Sequence, residues 1–333
     1  MLGLVDAVAQ AVPLSSAEKY TVACIRTSNP TYLLFAEESV YPDYVVKFGH
    51  IDEMSQAYQI QLELAAILPE HIARPLTLHE LSESKTMFVQ QGLVGKPWFA
   101  VAAKLQSEQQ WCDLGSRLTE VLYKFHQSVG TRQKWRRQLN LGEELRSKAQ
   151  QYMQLTTRLP DGWNDVLRDN SRILDELGSF DCVFQHGDYS VNNTVNDGDR
   201  VGVIDFEFFG KTLMPLHDEF LLMHSLAGFA PRGCKSQSKV WSEVLETSGF
   251  SKQFEDRHVK ALYLHFLIWW AIETNGKILR QKWAQTCNRA LANFCQMHQQ
   301  RSDWYAVTDW STIKPPRSHN VIKGRKYHPP AMP

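Results

Sequence analysis

The sequence predicts an α+β protein with a small antiparallel β-sheet lobe followed by a larger, mainly helical lobe. Three observations carry that reading. Strand-like runs rich in β-branched and aromatic residues crowd the first 91 residues, amphipathic helical patterns dominate from about 107 onward, and one β-like segment with a polar centre interrupts the helices at 182–207. The 333 residues suffice for such a two-lobed fold. Hydrophobic residues make up 43% and charged residues 22%, a composition that excludes a disordered chain or a disulfide-stapled scaffold.

The elements follow in order. KYTVACIR (19–26), TYLLFAEES (31–39) and DYVVKFGH (43–50) read as an antiparallel meander, separated by the turn formers Ser28-Asn29-Pro30 and Tyr41-Pro42-Asp43. A helix is expected from Ile51 to Leu68, then strands at 76–81 and 85–91, then a connector punctuated by Gly92 and Gly95-Lys96-Pro97. Helices are expected at 107–128, 141–157, 163–178, 216–229, 239–248, 255–276 and 281–299. In 182–207 the apolar runs VF and VGVID suggest two short strands paired around the polar loop, which also holds the turn signal Asn196-Asp197-Gly198-Asp199. The expected domains are 1–92, 93–302 and a loosely packed basic tail, 303–333, with Lys323, Arg325 and Lys326. The opening residues read as a weak apolar run without the basic start of a signal peptide.

The polar loop concentrates the chemistry. His186-Gly187-Asp188 is followed by Asn193 five positions on, and Asp205 comes twelve residues later in Ile204-Asp205-Phe206-Glu207. Phosphoryl transfer from a nucleotide needs a carboxylate to orient the accepting hydroxyl and hard oxygen ligands to hold Mg²⁺ on the phosphates. An Asp, an Asn five residues later and a second Asp after an apolar strand supply those groups. Ordinary turn chemistry would explain Asp188 and Asn193 singly, but not the spacing to Asp205.

HGDYSVNN and IDFE resemble the HGD-x-x-x-x-N and ID-[FWY]-E motifs of the aminoglycoside phosphotransferase and choline kinase superfamily, whose members share a protein-kinase-like fold. The resemblance spans about residues 20–300 and includes Leu122–His126, similar to the family's LxxLH segment. It implies ATP as cofactor, with GTP as the other nucleotide to consider, and Mg²⁺. Asp188 is implied as catalytic base, with His186 bracing the loop. Asn193 and Asp205 are implied as metal ligands, Glu207 as a substrate-side carboxylate and Asp218, in PLHDEF, as the brace of the catalytic loop. In the first lobe Lys47, within YVVKF, is the candidate for the α- and β-phosphates, with Glu63 preferred over Glu53 as its partner. Gln90 and Gln91, ending the last strand of that lobe, complete the nucleotide-binding candidates. The turn TSNPTY lacks the glycines of a phosphate-cradling loop, which leaves nucleotide choice open.

The expected reaction is transfer of the γ-phosphate to a hydroxyl of a small molecule: an amino alcohol, a sugar or an aminoglycoside-like acceptor. A nucleotide-binding pseudokinase and a protein kinase are the rival readings; HGD in place of HRD and IDFE in place of DFG disfavour the second. Residues 1–210 hold 19 basic and 27 acidic residues, and residues 211–333 hold 17 and 9. The basic second part disfavours a polycationic acceptor and favours a neutral or anionic one. Lysine plus arginine equals aspartate plus glutamate at 36 each, so no overall field draws nucleic acid. No run reaches the roughly 18 apolar residues of a membrane span, and Cys24, Cys112, Cys182, Cys234, Cys287 and Cys295 show no metal-ligand spacing, which together suggest a cytoplasmic protein. Tyr263, Phe266, Trp269 and Trp270 could line a cation–π pocket but are expected to be core. His126 is expected to be a core or loop-bracing residue.

Overall fold

The structure, a computed structural model, describes residues 2–12, 14, 20–25, 30–37, 39–97, 107–198, 200–229, 253–275 and 281–300. The centre of the glycine-free turn, the helix expected at 239–248 and the basic tail lie outside the described residues. The chain forms two compact units. The first holds the described residues up to Lys96 together with Val195–Ile204; the second holds Pro97–Thr194 and the described residues from Asp205 on.

The first unit is built on a five-stranded sheet of β1 (Tyr20–Ile25), β2 (Thr31–Ala36), β3 (Tyr44–His50), β4 (Pro75–Ser82) and β5 (Lys85–Gln91). Its order is β1-β2-β3-β5-β4, with every adjacent pair antiparallel. Asp43 shapes the β2–β3 turn, its Oδ2 accepting the Ala36 N–H at 2.7 Å. Side chains alternate between the two faces of a strand, so the register Val46↔Val89, Lys47↔Phe88 and Val45↔Gln90 sorts them. Leu34, Val46, Met87 and Val89 line one face, and the helix α1 (Leu2–Ala11) packs Val8 against them, with Val12 just beyond its end. This helix is a correction to the sequence reading, which saw only a weak apolar run. Leu4, Val8 and Val12 recur every four residues, a single helical stripe, and burying each such side chain is worth about 1.5–3 kcal/mol. The other face carries Lys47, Phe88 and Gln90. There α2 (Ile51–Ile67) sets Tyr58 against Phe88, ring centroids 5.9 Å apart, and Gln61 against Gln90.

In the second unit the helices are α3 (Glu108–Gly130), α4 (Leu141–Leu155), α5 (Trp163–Asp175), α6 (His217–Phe229), α7 (Asp256–Thr274) and α8 (Gln281–Gln300). Helix α7 is apolar around nearly its whole circumference and contacts α4, α5, α6 and α8, as a central helix must. Tyr263, Phe266, Trp269 and Trp270 are all buried in this core, so they line no ammonium pocket. The strand pairing around the polar loop differs from expectation. β8 (Ser179–Val183) pairs with β7 (Arg136–Asn140), a strand not foreseen because RRQLN carries too few apolar residues to show an alternation. β9 (Thr194–Asp197) instead neighbours β10 (Arg200–Val203) across the Asp197-Gly198 turn, and the pair extends to a two-residue strand β6 (Lys96–Pro97).

Two predictions follow from this packing. Leu34→Ala removes a fully buried side chain and is expected to cost about 2–5 kcal/mol, whereas Leu81→Ala, at a position 46% exposed, should stay within about 0.5 kcal/mol by urea denaturation. The second concerns acid. Burial lowers the pKa of His224 from 6.5 to about 3, and the ring faces the Tyr263 hydroxyl at 3.1 Å. A folded-state pKa below the unfolded one stabilises fully above pH 6.5, and that contribution is lost as pH falls toward 3. Stability should therefore decline from pH 7 to 5, and decline less in His224→Gln, which keeps a polar partner for Tyr263.

Candidate active site

The polar loop is fastened by backbone bonds before any side chain acts. Phe184 N–H donates to Trp135 O at 2.9 Å, Gln185 N–H to Thr212 O at 3.2 Å, and Gly210 N–H to Gln185 O at 3.0 Å. At His186 the backbone turns inward, and the two consecutive N–H groups of His186 and Gly187 donate to Oδ2 and Oδ1 of Asp218 at 2.7 and 2.8 Å. Gly187 has φ +81°, and a Cβ there would stand 2.5 Å from Phe208 O, so only glycine fits. The His186 ring lies among Phe206, Tyr189 and Phe125, with centroids 5.0, 5.8 and 6.0 Å away. Its Nδ1 accepts the Asp188 N–H at 3.3 Å.

Asp188 is half-buried, at the point where the loop leaves the core. Asn193 closes the next turn on it, donating Nδ2–H to Asp188 O at 2.8 Å. That bond spends the amide nitrogen and leaves the amide oxygen as the group Asn193 can offer a ligand. Further on, Tyr189 donates its hydroxyl to Leu118 O at 2.8 Å and Val191 N–H donates to Ser225 Oγ at 3.1 Å, tying the loop to α3 and α6. Asp205 follows β10 with φ +68°, one of two described non-glycine residues in the left-handed region. Such strain in a branched-carboxylate residue persists only where the surroundings over-determine it, and here Phe206 is buried against His186. Glu207 is exposed.

Behind the loop lies a buried charged cluster. Asp218 is 0% exposed, and His126 Nε2 stands 3.1 Å from its Oδ2. Burial alone would raise the Asp218 pKa; the hydrogen bond from His126 and its charge outweigh it and hold the pKa below the ordinary carboxylate value. For His126, burial works to lower the pKa, but Glu219 and Asp218 together raise it. The Glu219 carboxylate lies 3.6 Å from His126 Nδ1, and its pKa is raised, chiefly by burial. Glu219 was not singled out in the sequence. The signal was present as a second carboxylate directly after Asp218 in the first turn of α6.

The remaining candidates belong to the first unit. Lys47 is half-buried on β3, on the sheet face that α2 covers, and Glu63 is half-buried on α2. Gln90 is buried and its Oε1 accepts from Gln61 Nε2 at 3.0 Å, and the same NH₂ group also donates to Ala73 O at 2.8 Å. Gln91 is exposed and, with Leu62, Pro69, Arg74 and Val94, lines a cavity of about 420 Å³ that none of Lys47, Glu63 and Gln90 lines. The structure thus brings His186, Asp188, Asn193 and Asp218 together in one hydrogen-bonded loop, with the Asp205 segment packed on it through Phe206.

Residues 25–224, more than half of the chain, match the family described as "APH: Phosphotransferase enzyme family", and the chain belongs to that family. Solved structures share its fold. Amicoumacin kinase hAmiN, in complex with AMP-PNP, Ca²⁺ and Ami, is 15% identical, with a TM-score of 0.57 and coverage of 92% of this chain and 97% of that one. A GDP complex of a mutant aminoglycoside 2'-phosphotransferase-IIIa is 14% identical, with a TM-score of 0.60 and coverage of 90% and 99%. Glucosamine kinase is 14% identical, with a TM-score of 0.54 and coverage of 87% and 81%. No curated protein matches the sequence.

The Asp218 brace generates a direct expectation. Asp218→Asn sets an amide N–H₂ against a backbone N–H and removes the buried partner of His126, so it should cost at least about 3 kcal/mol. Glu207→Gln, at an exposed position, should cost less than about 0.5 kcal/mol; urea denaturation compares the two.

Proposed function

We propose that this protein transfers the γ-phosphoryl group of ATP, with Mg²⁺, to a hydroxyl of a small molecule. The observation that carries the proposal is the clasp between Asn193 and Asp188 on a loop whose two preceding N–H groups are held by one buried carboxylate. A side chain that must meet a substrate hydroxyl within hydrogen-bond reach needs such a fixed backbone. Asp188 accepts the proton of the acceptor hydroxyl as its oxygen bonds to the γ-phosphorus, while the bond from that phosphorus to the bridging oxygen breaks and ADP departs. His186 and Asp218 hold the loop.

The donor set suits a hard divalent cation: the carboxylate of Asp205 and the amide oxygen that Asn193 has left over. When bound, Mg²⁺ neutralises charge on the phosphates. Lys47 serves the α- and β-phosphates with Glu63 as its partner, Gln90 and Gln91 serve the nucleotide, and Glu207 faces the acceptor. That solved relatives in fold carry AMP-PNP with Ca²⁺, or GDP, supports a nucleotide and a divalent metal here. The acceptor class follows from charge: with 17 basic against 9 acidic residues after 210, a neutral or anionic acceptor such as a sugar fits better than a polycation.

The test is Mg-ATP turnover across sugars, amino alcohols, nucleosides and aminoglycosides. Asp188→Asn should lower kcat by about 10²–10⁴-fold with nucleotide affinity kept. Undiminished turnover in that variant removes Asp188 from its role, and nucleotide binding without turnover on any acceptor sinks the enzyme reading.

A further inference from the structure

Three histidines surround the carboxylate that holds the catalytic loop. His186 offers Nδ1 as an acceptor to the Asp188 N–H at 3.3 Å. His217, fully enclosed beside Trp269 with centroids 4.6 Å apart, is kept neutral by burial, its pKa about 4. His126 faces a carboxylate at each ring nitrogen: Asp218 at 3.1 Å from Nε2 and Glu219 at 3.6 Å from Nδ1, with all three residues at most 1% exposed. The second carboxylate looks poorly placed for stability, since among the described residues Glu219 Oε2 has no hydrogen-bond partner. A buried oxygen without a partner is destabilising.

We propose that Glu219 is a positioning residue acting through His126: as the second buried carboxylate, it keeps that ring charged and aimed at Asp218. Asp218 then stays an anion able to accept both loop N–H groups, and Asp188 stays where the acceptor hydroxyl meets it. With one carboxylate alone, a ring this deeply buried would shed its charge, and Asp218 would lose the neighbour that keeps it ionised. This purpose rests on the phosphotransferase reading above. The charge assignment itself does not.

The experiment uses the full chain with ¹⁵N-labelled histidine and the near-isosteric Glu219→Gln variant, the His126 signals being assigned by their loss in His126→Gln. In the wild type both His126 ring nitrogens should be protonated at pH 7, and in Glu219→Gln the ring should be neutral. kcat should fall about tenfold, a size typical of lost supporting partners, with nucleotide KM held within about twofold. The melting temperature of Glu219→Gln should be unchanged or higher, and Glu219→Asp, which keeps the charge, should recover much of the loss in kcat. A neutral His126 in the wild type, or wild-type kcat in Glu219→Gln, overturns the proposal. So does a variant that merely melts earlier with unchanged kcat per folded molecule, which would make Glu219 structural. If the wild type turns over no acceptor, the phosphotransferase reading fails instead, and the ring signals still decide the charge of His126.

Discussion

One carboxylate holds the site. Asp218 takes two consecutive backbone N–H groups, those of His186 and Gly187, at 2.7 and 2.8 Å, and its side chain is 0% exposed. Charge-assisted bonds of that kind are short and strong, and two from adjacent residues fix the peptide plane between them. Everything on the loop inherits that orientation: the positive φ of Gly187, the inward ring of His186 and the outward path of Asp188. A neutral acceptor could satisfy one of the two donors well but not both. Beside Asp218 stands His126 on α3, its Nε2 3.1 Å from Oδ2, and both side chains are closed off from solvent.

The two units rest on different physics. The first is a sheet with one face closed by α1 through apolar contact alone and the other reached by α2 partly through polar pairs, Gln61 with Gln90 among them. Lys47 lies on that second, more polar face, where a cation costs less to keep than on the sealed one. The second unit is organised around α7, whose aromatic residues fill space rather than line a pocket. Phe208 and His217 pack directly against Trp269 and stand just before and within the turns that present Asp218. The core thus supports the loop from behind: Trp269 holds His217, and the next residue is the brace.

What was legible in the sequence divides along the same lines. Strands β1 to β5 and helices α2 to α8 announced themselves because each repeats an apolar residue at its own period, and the candidate site stood out by the spacing of Asp188, Asn193 and Asp205. β7 was hidden because Arg136, Arg137 and Gln138 give no alternation; that strand exists because β8 supplies five backbone partners. The wrong pairing proposed around the polar loop has the same origin, since local pattern shows that a strand exists and not which strand it meets. Helix α1 was missed for want of a cap and of length, although Leu4, Val8 and Val12 already formed a stripe. Glu219 escaped because a carboxylate in the first turn of a helix is the most ordinary place to find one.

The acceptor is the part least determined by the features that define the fold, and the reason is physical. In the proposed reaction Asn193 and Asp205 serve the metal and Asp188 meets only the acceptor's hydroxyl, so their geometry answers to groups that do not change with the rest of the acceptor. The residues that meet an acceptor need only match its shape and charge, and shape can be remade by side chains on many different helices. Charge is the coarser and more durable filter. A site meant for a polycation needs carboxylates that remain ionised at its surface, whereas in the second unit the carboxylates of Asp218 and Glu219 are buried beside His126. Acidic side chains committed to holding a loop cannot also neutralise a substrate. The excess of basic over acidic residues after position 210, 17 against 9, is the sequence observation on which the proposed neutral or anionic acceptor rests.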